Sequence, residues 1–216
     1  MFGVVSATRD EVGATLKAAQ VTLERPQMIH FVESPAATLG LLINAEPDAG
    51  EALSIADDAP DCAAVSGWIT PDGQSPDNTE APMSLLAMAR DGSLHKAHEM
   101  SGLFVAAIWR GCDGHLRLMS DWIGGIHQLF YAPTPGGLIF GTQLHTLIET
   151  AGWDGLVDQR ALAQYLDFGH VLPPGTLFQR VSKLPAGCEV SYHDGKLQLR
   201  RTYRPRFSRN GSIMNA

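Results

Sequence analysis

Leu103-Phe104-Val105-Ala106-Ala107-Ile108-Trp109 runs through Gly111 to Gly114 into His115-Leu116-Arg117-Leu118-Met119. An apolar run, a turn carrying Asp113-Gly114, and a second run alternating polar with apolar make this an antiparallel hairpin. The same grammar recurs downstream. Cys188-Glu189-Val190-Ser191-Tyr192 passes Asp194-Gly195 into Lys196-Leu197-Gln198-Leu199-Arg200, and Leu129-Phe130-Tyr131 faces Leu138-Ile139-Phe140 across Pro135-Gly136-Gly137. Asp-Gly pairs also stand at Asp72, Asp91 and Asp154, each supplying the positive φ that tight turns need. Further strands are expected at Phe2 to Ala7, Met28 to Val32, Leu39 to Asn44 and Ala63 to Ile69.

Helical spacing appears in four places. Thr8-Arg9-Asp10-Glu11 has the spacing of a capping box and opens a helix toward Gln20. Thr79 to Arg90 carries Met83, Leu86 and Met88 and stops at Asp91-Gly92. Gln143 to Ala151 ends at Gly152, and Asp158 caps Gln159 to Phe168, closed by Gly169. Many antiparallel strands with few helices predict an α+β layered domain. The 216 residues, 44% hydrophobic and 18% charged, suit one domain, or one with a short appendage.

Charge and cysteine usage narrow the class. A net charge of −7 repels nucleic acid and anionic membrane. No run approaches the roughly 18 apolar residues of a membrane span, and Met1 to Ala7 lacks a signal peptide's cationic start. Cys62, Cys112 and Cys188 are odd in number and far apart, as expected of small core hydrophobes in a reducing cytoplasm. Arg200, Arg201, Arg204, Arg206 and Arg209 form a run without an acid. It reads either as a solvated linker or as a docking surface.

Catalytic templates fail one by one. There is no phosphate-binding glycine loop, dinucleotide fingerprint, nucleophile elbow or zincin helix. His95 and His98 have a metal-compatible spacing but no further ligands nearby, so a surface turn is expected there. Ser93-Leu94-His95-Lys96 matches Ser-x-x-Lys at chance frequency. His30, His115, His127, His145 and His170 are scattered, with no carboxylate-nucleophile set. The residues alone therefore predict no catalytic machinery, no metal and no cofactor.

The order of segments carries more. Met100-Ser101-Gly102-Leu103-Phe104-Val105-Ala106-Ala107-Ile108-Trp109 resembles the "LxGxFAFALWD" strand of the glutaminase domain of asparagine synthetases. Ser120 to Tyr131 resembles "RDRLGIKPLYY", and Leu138 to Leu147 resembles "LLFASELKAL". Val157-Asp158 to Tyr165, Gly169, Pro173-Pro174 to Phe178 and Lys183-Leu184-Pro185-Ala186-Gly187 follow in the family's order. The resemblance covers Met100 to Pro205 well and the first hundred residues loosely. It implies a four-layer αββα sandwich of the N-terminal-nucleophile hydrolase type over residues 1–203, with 204–216 an Arg-rich tail or linker remnant.

The same resemblance implies a damaged active site. Active members use a cysteine thiolate that attacks the glutamine amide, with its own α-amino group as base; Phe2 stands there. The Arg-Gly-Pro-Asp carboxylate clamp has no match between Arg25 and Asp61. The Asn-Gly oxyanion pair aligns with Ser66-Gly67, and Trp68 replaces a Glu. The Asp of "DTE" aligns with Asn78. Phe2, Ser66, Gly67, Trp68 and Asn78 are thus expected to mark a degenerate substrate pocket without catalytic residues. The Ser-Gly-Gly-x-Asp-Ser loop of the family's ATP-using domain is absent.

The implied function is a catalytically silent amidotransferase-like module of an amide ligase system, as in β-lactam synthetases and lasso-peptide cyclases. Its expected partner is a separate ATP-using synthetase-domain protein, which would give the basic run a docking role; a homodimer is left open. The alternatives are part of a glutamine-hydrolysing asparagine synthetase, a free-standing protein holding a small ligand under Trp68, and a truncation without a role.

Overall fold

Alternation along the strands sets the layering. In the computed structural model, which describes residues 1–23, 27–35, 37–44, 51–55, 60–70, 80–152, 154–207 and 213–214, two six-stranded antiparallel sheets stack face to face. The first sheet contains β1 (Phe2–Ser6), β2 (Gln27–Glu33), β3 (Thr38–Asn44), β8 (Phe130–Thr134), β9 (Gly137–Gly141) and β10 (Ser182–Lys183), in the order β10-β8-β9-β1-β3-β2. The second contains β4 (Glu51–Ile55), β5 (Cys62–Thr70), β6 (Ser101–Arg110), β7 (His115–Ser120), β11 (Cys188–His193) and β12 (Lys196–Arg201), in the order β12-β11-β7-β6-β5-β4. β13 (Arg206–Phe207) pairs with β14 (Ile213–Met214) beyond the sandwich.

Helices cover both outer faces. On β6, Val105, Ala107 and Trp109 point into the core between the sheets. Phe104, Ala106 and Ile108 point the other way, onto α2 (Ala81–Asp91). Because both faces are covered, this strand is apolar throughout instead of alternating. On β1, Val5 faces the inter-sheet core. Phe2 and Val4 join Val12, Leu16 and Ala19 of α1 (Arg9–Thr22) and Leu147 of α3 (Leu144–Thr150). The result is an α+β sandwich, as the sequence predicts.

Local signals place most element ends. Asp158 Oδ1 accepts from the amides of Arg160 and Ala161 at 2.8 and 3.1 Å and starts α4 (Gln159–Phe168), and Gly169 closes it in the left-handed region. The capping box at α1 forms in a different way. Thr8 Oγ1 accepts from Glu11 N at 3.4 Å, while the Glu11 carboxylate takes the Ser6 hydroxyl.

Four expectations need correction. The periodic face assigned to α2 is rotated: Met83 is exposed, and Ala81, Pro82, Leu85, Leu86 and Ala89 face the core, because that helix lies on β5 along its small-residue side. Cys112 is no core hydrophobe but an exposed member of the β6–β7 turn. β12 is an edge strand with little covering it, so Leu199 is exposed despite the alternation. His95 lies on a short 3-10 helix, Leu94–Glu99, instead of a turn, with its Nδ1 3.3 Å from the Gly92 carbonyl.

Candidate functional site

Ser66, Gly67 and Trp68 lie on β5, whose geometry centres on Gly67. β5 pairs with β6 so that Ser66 faces Val105, Gly67 faces Phe104 and Trp68 faces Leu103. Gly67 has φ +109, which side chains with a Cβ rarely adopt. A Cβ there would run into the Leu103 carbonyl oxygen and come within 2.8 Å of His127 Cδ2 and 2.9 Å of Phe104 Cα. Nearby on β6, a Cβ on Gly102 would run just as hard into the Trp68 carbonyl oxygen. Two glycines thus let β5 and β6 approach closely where the loop after β7 arrives.

That loop is organised by Asp121, which the sequence does not single out. It is 2% exposed. Its Oδ2 accepts from Phe104 N at 3.0 Å, and its Oδ1 accepts from the amides of Ile123 and Gly124, both at 2.7 Å. Its backbone N donates to the Phe104 carbonyl at 3.0 Å, and its carbonyl accepts from Gly187 N at 2.8 Å. One buried residue, through its carboxylate and its backbone, thereby ties β6, the loop carrying His127, and the turn before β11 together. Its position three residues before Gly124-Gly125 was the available signal, since a short acid often hydrogen-bonds the backbone two residues on.

The predicted site residues are not all gathered here. Ser66 is buried, Gly67 leaves no room for a Cβ beside the His127 ring, and Trp68 is 42% exposed. Phe2 belongs to the other sheet. Its ring is 2% exposed and packs on the helix-facing side among Val4, Leu42 and Phe130, with Gly141 beside it. Asn78 lies outside the described residues. The Met1 amino group donates to Thr142 Oγ1 at 3.2 Å, and Thr142 N donates to the Met1 carbonyl at 2.9 Å. Clefts of about 320 and 330 Å³ open at the opposite end of β1, sharing Ser6 and Pro133 to Gly136; Phe2, Ser66, Gly67 and Trp68 line neither.

Two of the three thiols, Cys62 and Cys188, have little nucleophilic character. Burial, with Asp61 adjoining, pushes Cys62 up to about 12, and burial also raises Cys188. Among the described residues no three His, Cys, Asp or Glu side chains come together as a metal site, and no helix is long and apolar enough to cross a membrane. A separate polar group joins β7 to β11. His115 Nε2 lies 2.8 Å from Ser191 Oγ, and the His115 ring is 5.4 Å from that of His193. Burial, helped by Arg117, lowers the His115 pKa to about 4.

Paired antiparallel sheets with helices outside, and β1 central in one of them, define a class of two-sheet α+β sandwiches. Within that class, the glutamine amidotransferase domain family matches residues 74–204, and the chain belongs to it. A Mycobacterium tuberculosis protein named "Putative asparagine synthetase (glutamine-hydrolyzing)" is 32% identical over 114 residues, half of this chain and 17% of that protein. Bacillus subtilis asparagine synthetase (glutamine-hydrolyzing) 1 is 29% identical over 124 residues, 57% of this chain and 19% of that one. The matched stretch thus spans under a fifth of these relatives. Among solved structures, the glutamine phosphoribosylpyrophosphate amidotransferase of B. subtilis superposes with a TM-score of 0.53 at 9% identity, over 94% of this chain and 49% of that chain. A structure described as the allosteric regulatory enzyme of purine biosynthesis gives a TM-score of 0.55 at 8% identity, with the same coverage. These two likenesses bear on the fold alone.

Proposed function

We propose that this glutamine amidotransferase domain, of the N-terminal-nucleophile type, does not hydrolyse glutamine and serves an asparagine synthetase-type, ATP-dependent amide ligase as a structural or docking module. The observation that carries the reading is Phe2. Its ring, at the position the family gives to the thiol, has no lone pair to attack a carbonyl and is sunk in the core at 2% exposure. No described cysteine replaces it. Cys62 and Cys188 are buried with raised pKa values, and Cys112 lies on the distant β6–β7 turn.

A ligase that activates a carboxylate as its adenylate and captures it with an internal amine, as β-lactam synthetases and lasso-peptide cyclases do, needs no ammonia. A silent domain fits such a system, located in the cytoplasm beside an ATP-using synthetase-domain protein. Arg200 already lies in β12, 3.8 Å from Glu189, so the part of the basic run free for docking starts near Arg204. The second reading is a working part of a glutamine-hydrolysing asparagine synthetase, favoured by the names of the curated relatives.

Ammonia release with millimolar glutamine separates the two. The proposal expects the no-enzyme baseline, for the protein itself and for Phe2→Cys. Turnover above that baseline, abolished by a thiol-alkylating diazo-ketone analogue of glutamine, would establish the second reading instead.

A further inference from the structure

An oxygen-rich corner lies where β1 ends. Ser6 Oγ donates to Glu11 Oε2 and also stands 3.2 Å from the Gly136 carbonyl oxygen. A hydroxyl carries one proton, so it cannot serve both acceptors fully. Glu11 forms no ion pair among the described residues. Its place in the first turn of α1 suits a negative charge, yet Ser6 is the carboxylate's one donor among those residues. Three oxygens, from Glu11, Ser6 and Gly136, thus share a single proton.

The corner opens into the cleft of about 320 Å³, whose other polar side chains donate away from it. Thr15 Oγ1 donates to the Glu11 carbonyl at 2.8 Å and Thr150 Oγ1 to the Thr146 carbonyl at 2.7 Å, which leaves lone pairs toward the cleft. Gln179 Nε2 donates to the Val157 carbonyl at 3.2 Å, and Arg180 is held by Asp154 at 2.7 Å. Val4, Ala132, Ile139 and Val181, all buried, form an apolar floor. A ligand with three N–H donors and a positive charge at one end, and an apolar body behind them, matches both parts. Gly136 keeps the corner open. A Cβ there would lie 3.1 Å from Glu11 Oε2 and 3.3 Å from Ser6 Oγ, although its φ lies outside the left-handed region and does not itself call for glycine.

We propose that this cleft binds a small free primary amine with an apolar body, its ammonium donating to the Glu11 carboxylate, Ser6 Oγ and the Gly136 carbonyl. The inference is independent of the reading of Phe2, which does not line the cleft. The probe is phenethylamine, an ammonium on a short stem with a phenyl ring, and 2-phenylethanol is the neutral control of the same shape. Titrated into the intact ¹⁵N-labelled protein at pH 7, the amine should give saturable shifts centred on the amides of the cleft, with a Kd of about 1 mM or tighter. The alcohol, which lacks the charge-assisted hydrogen bonds, should bind about tenfold more weakly or worse.

Two variants locate the ammonium. Glu11→Gln removes the charge at nearly constant size, and Gly136→Ala puts a methyl into the corner. Each should weaken phenethylamine by about tenfold or more, with amide shifts away from the cleft unchanged, which shows that the fold is kept. Nα-acetyl-lysine methylamide carries its ammonium as a protein chain does and should bind more weakly than phenethylamine. No saturable shift up to about 20 mM, on the scale of very weak association, would overturn the proposal. So would equal binding of the alcohol, undiminished binding by either variant, or the same shifts from sodium chloride at matched ionic strength, which would make the corner a metal-ion site. Tighter binding of the lysine derivative would give the cleft to a partner protein's side chain and overturn it as well.

Discussion

Replacing Gly67 by Ala tests the close approach at the centre of the candidate site. Two costs are expected to combine. A residue with a Cβ at φ +109 is strained by about 1–2 kcal/mol. The new methyl also meets the Leu103 carbonyl oxygen and Phe104 Cα, which are backbone atoms held in the β5–β6 ladder and cannot turn aside as the His127 ring can. Forcing such a methyl into filled space costs about 1–3 kcal/mol. The loss should be about 3 kcal/mol, or about 10 °C in Tm for a domain of this size. Gly92 is the internal control. It has φ +81 with nothing within 4 Å of the missing Cβ, so Gly92→Ala carries only the strain, about 1 kcal/mol. Urea denaturation of both variants, with unchanged m values, gives the comparison. If Gly67→Ala loses no more stability than Gly92→Ala, the approach of β5 to β6 and His127 is wrong.

Thiol chemistry and pH give two further tests. Of the three cysteines only Cys112 should react quickly with a disulfide reagent in the folded protein, because Cys62 and Cys188 are buried and disfavour the thiolate; three fast thiols would refute their placement. His115 takes up its proton near pH 6.5 in the unfolded chain but near 4 when folded, so the unfolded state binds more protons between those values. Stability is therefore full above pH 6.5 and falls as the pH drops toward 4. The His115 share is about 1 kcal/mol once its partial exposure to solvent is discounted. His30, also lowered by burial, acts in the same direction, so the assay compares His115→Gln with wild type at pH 7 and pH 5. The variant should lose less stability on acidification, and equal losses would exclude His115 as a source.

Much of the local structure was legible because its causes are local. Asp158 and Gly169 bound α4 through hydrogen bonds and a backbone conformation that need no distant partner. Asp113-Gly114 and Asp194-Gly195 likewise turn the chain between strands whose alternation is already visible. The family order of segments from Met100 onward was also readable without coordinates. Periodicity does not say which layer a face meets, and there the tertiary structure decided. β1 finds β9 and β3, with Phe2 opposite Gly141 and Leu42, because an apolar strand covered on both faces must sit mid-sheet. α2 turns Met83 outward because smaller residues fit more closely onto β5. Asp121 acquires its role only when Phe104, Ile123 and Gly124 direct their amides at one buried carboxylate, and Gly67 has no room for a Cβ because the loop after β7 brings His127 over it. Such contacts arise from burial shared among distant segments, and no single stretch of sequence encodes them.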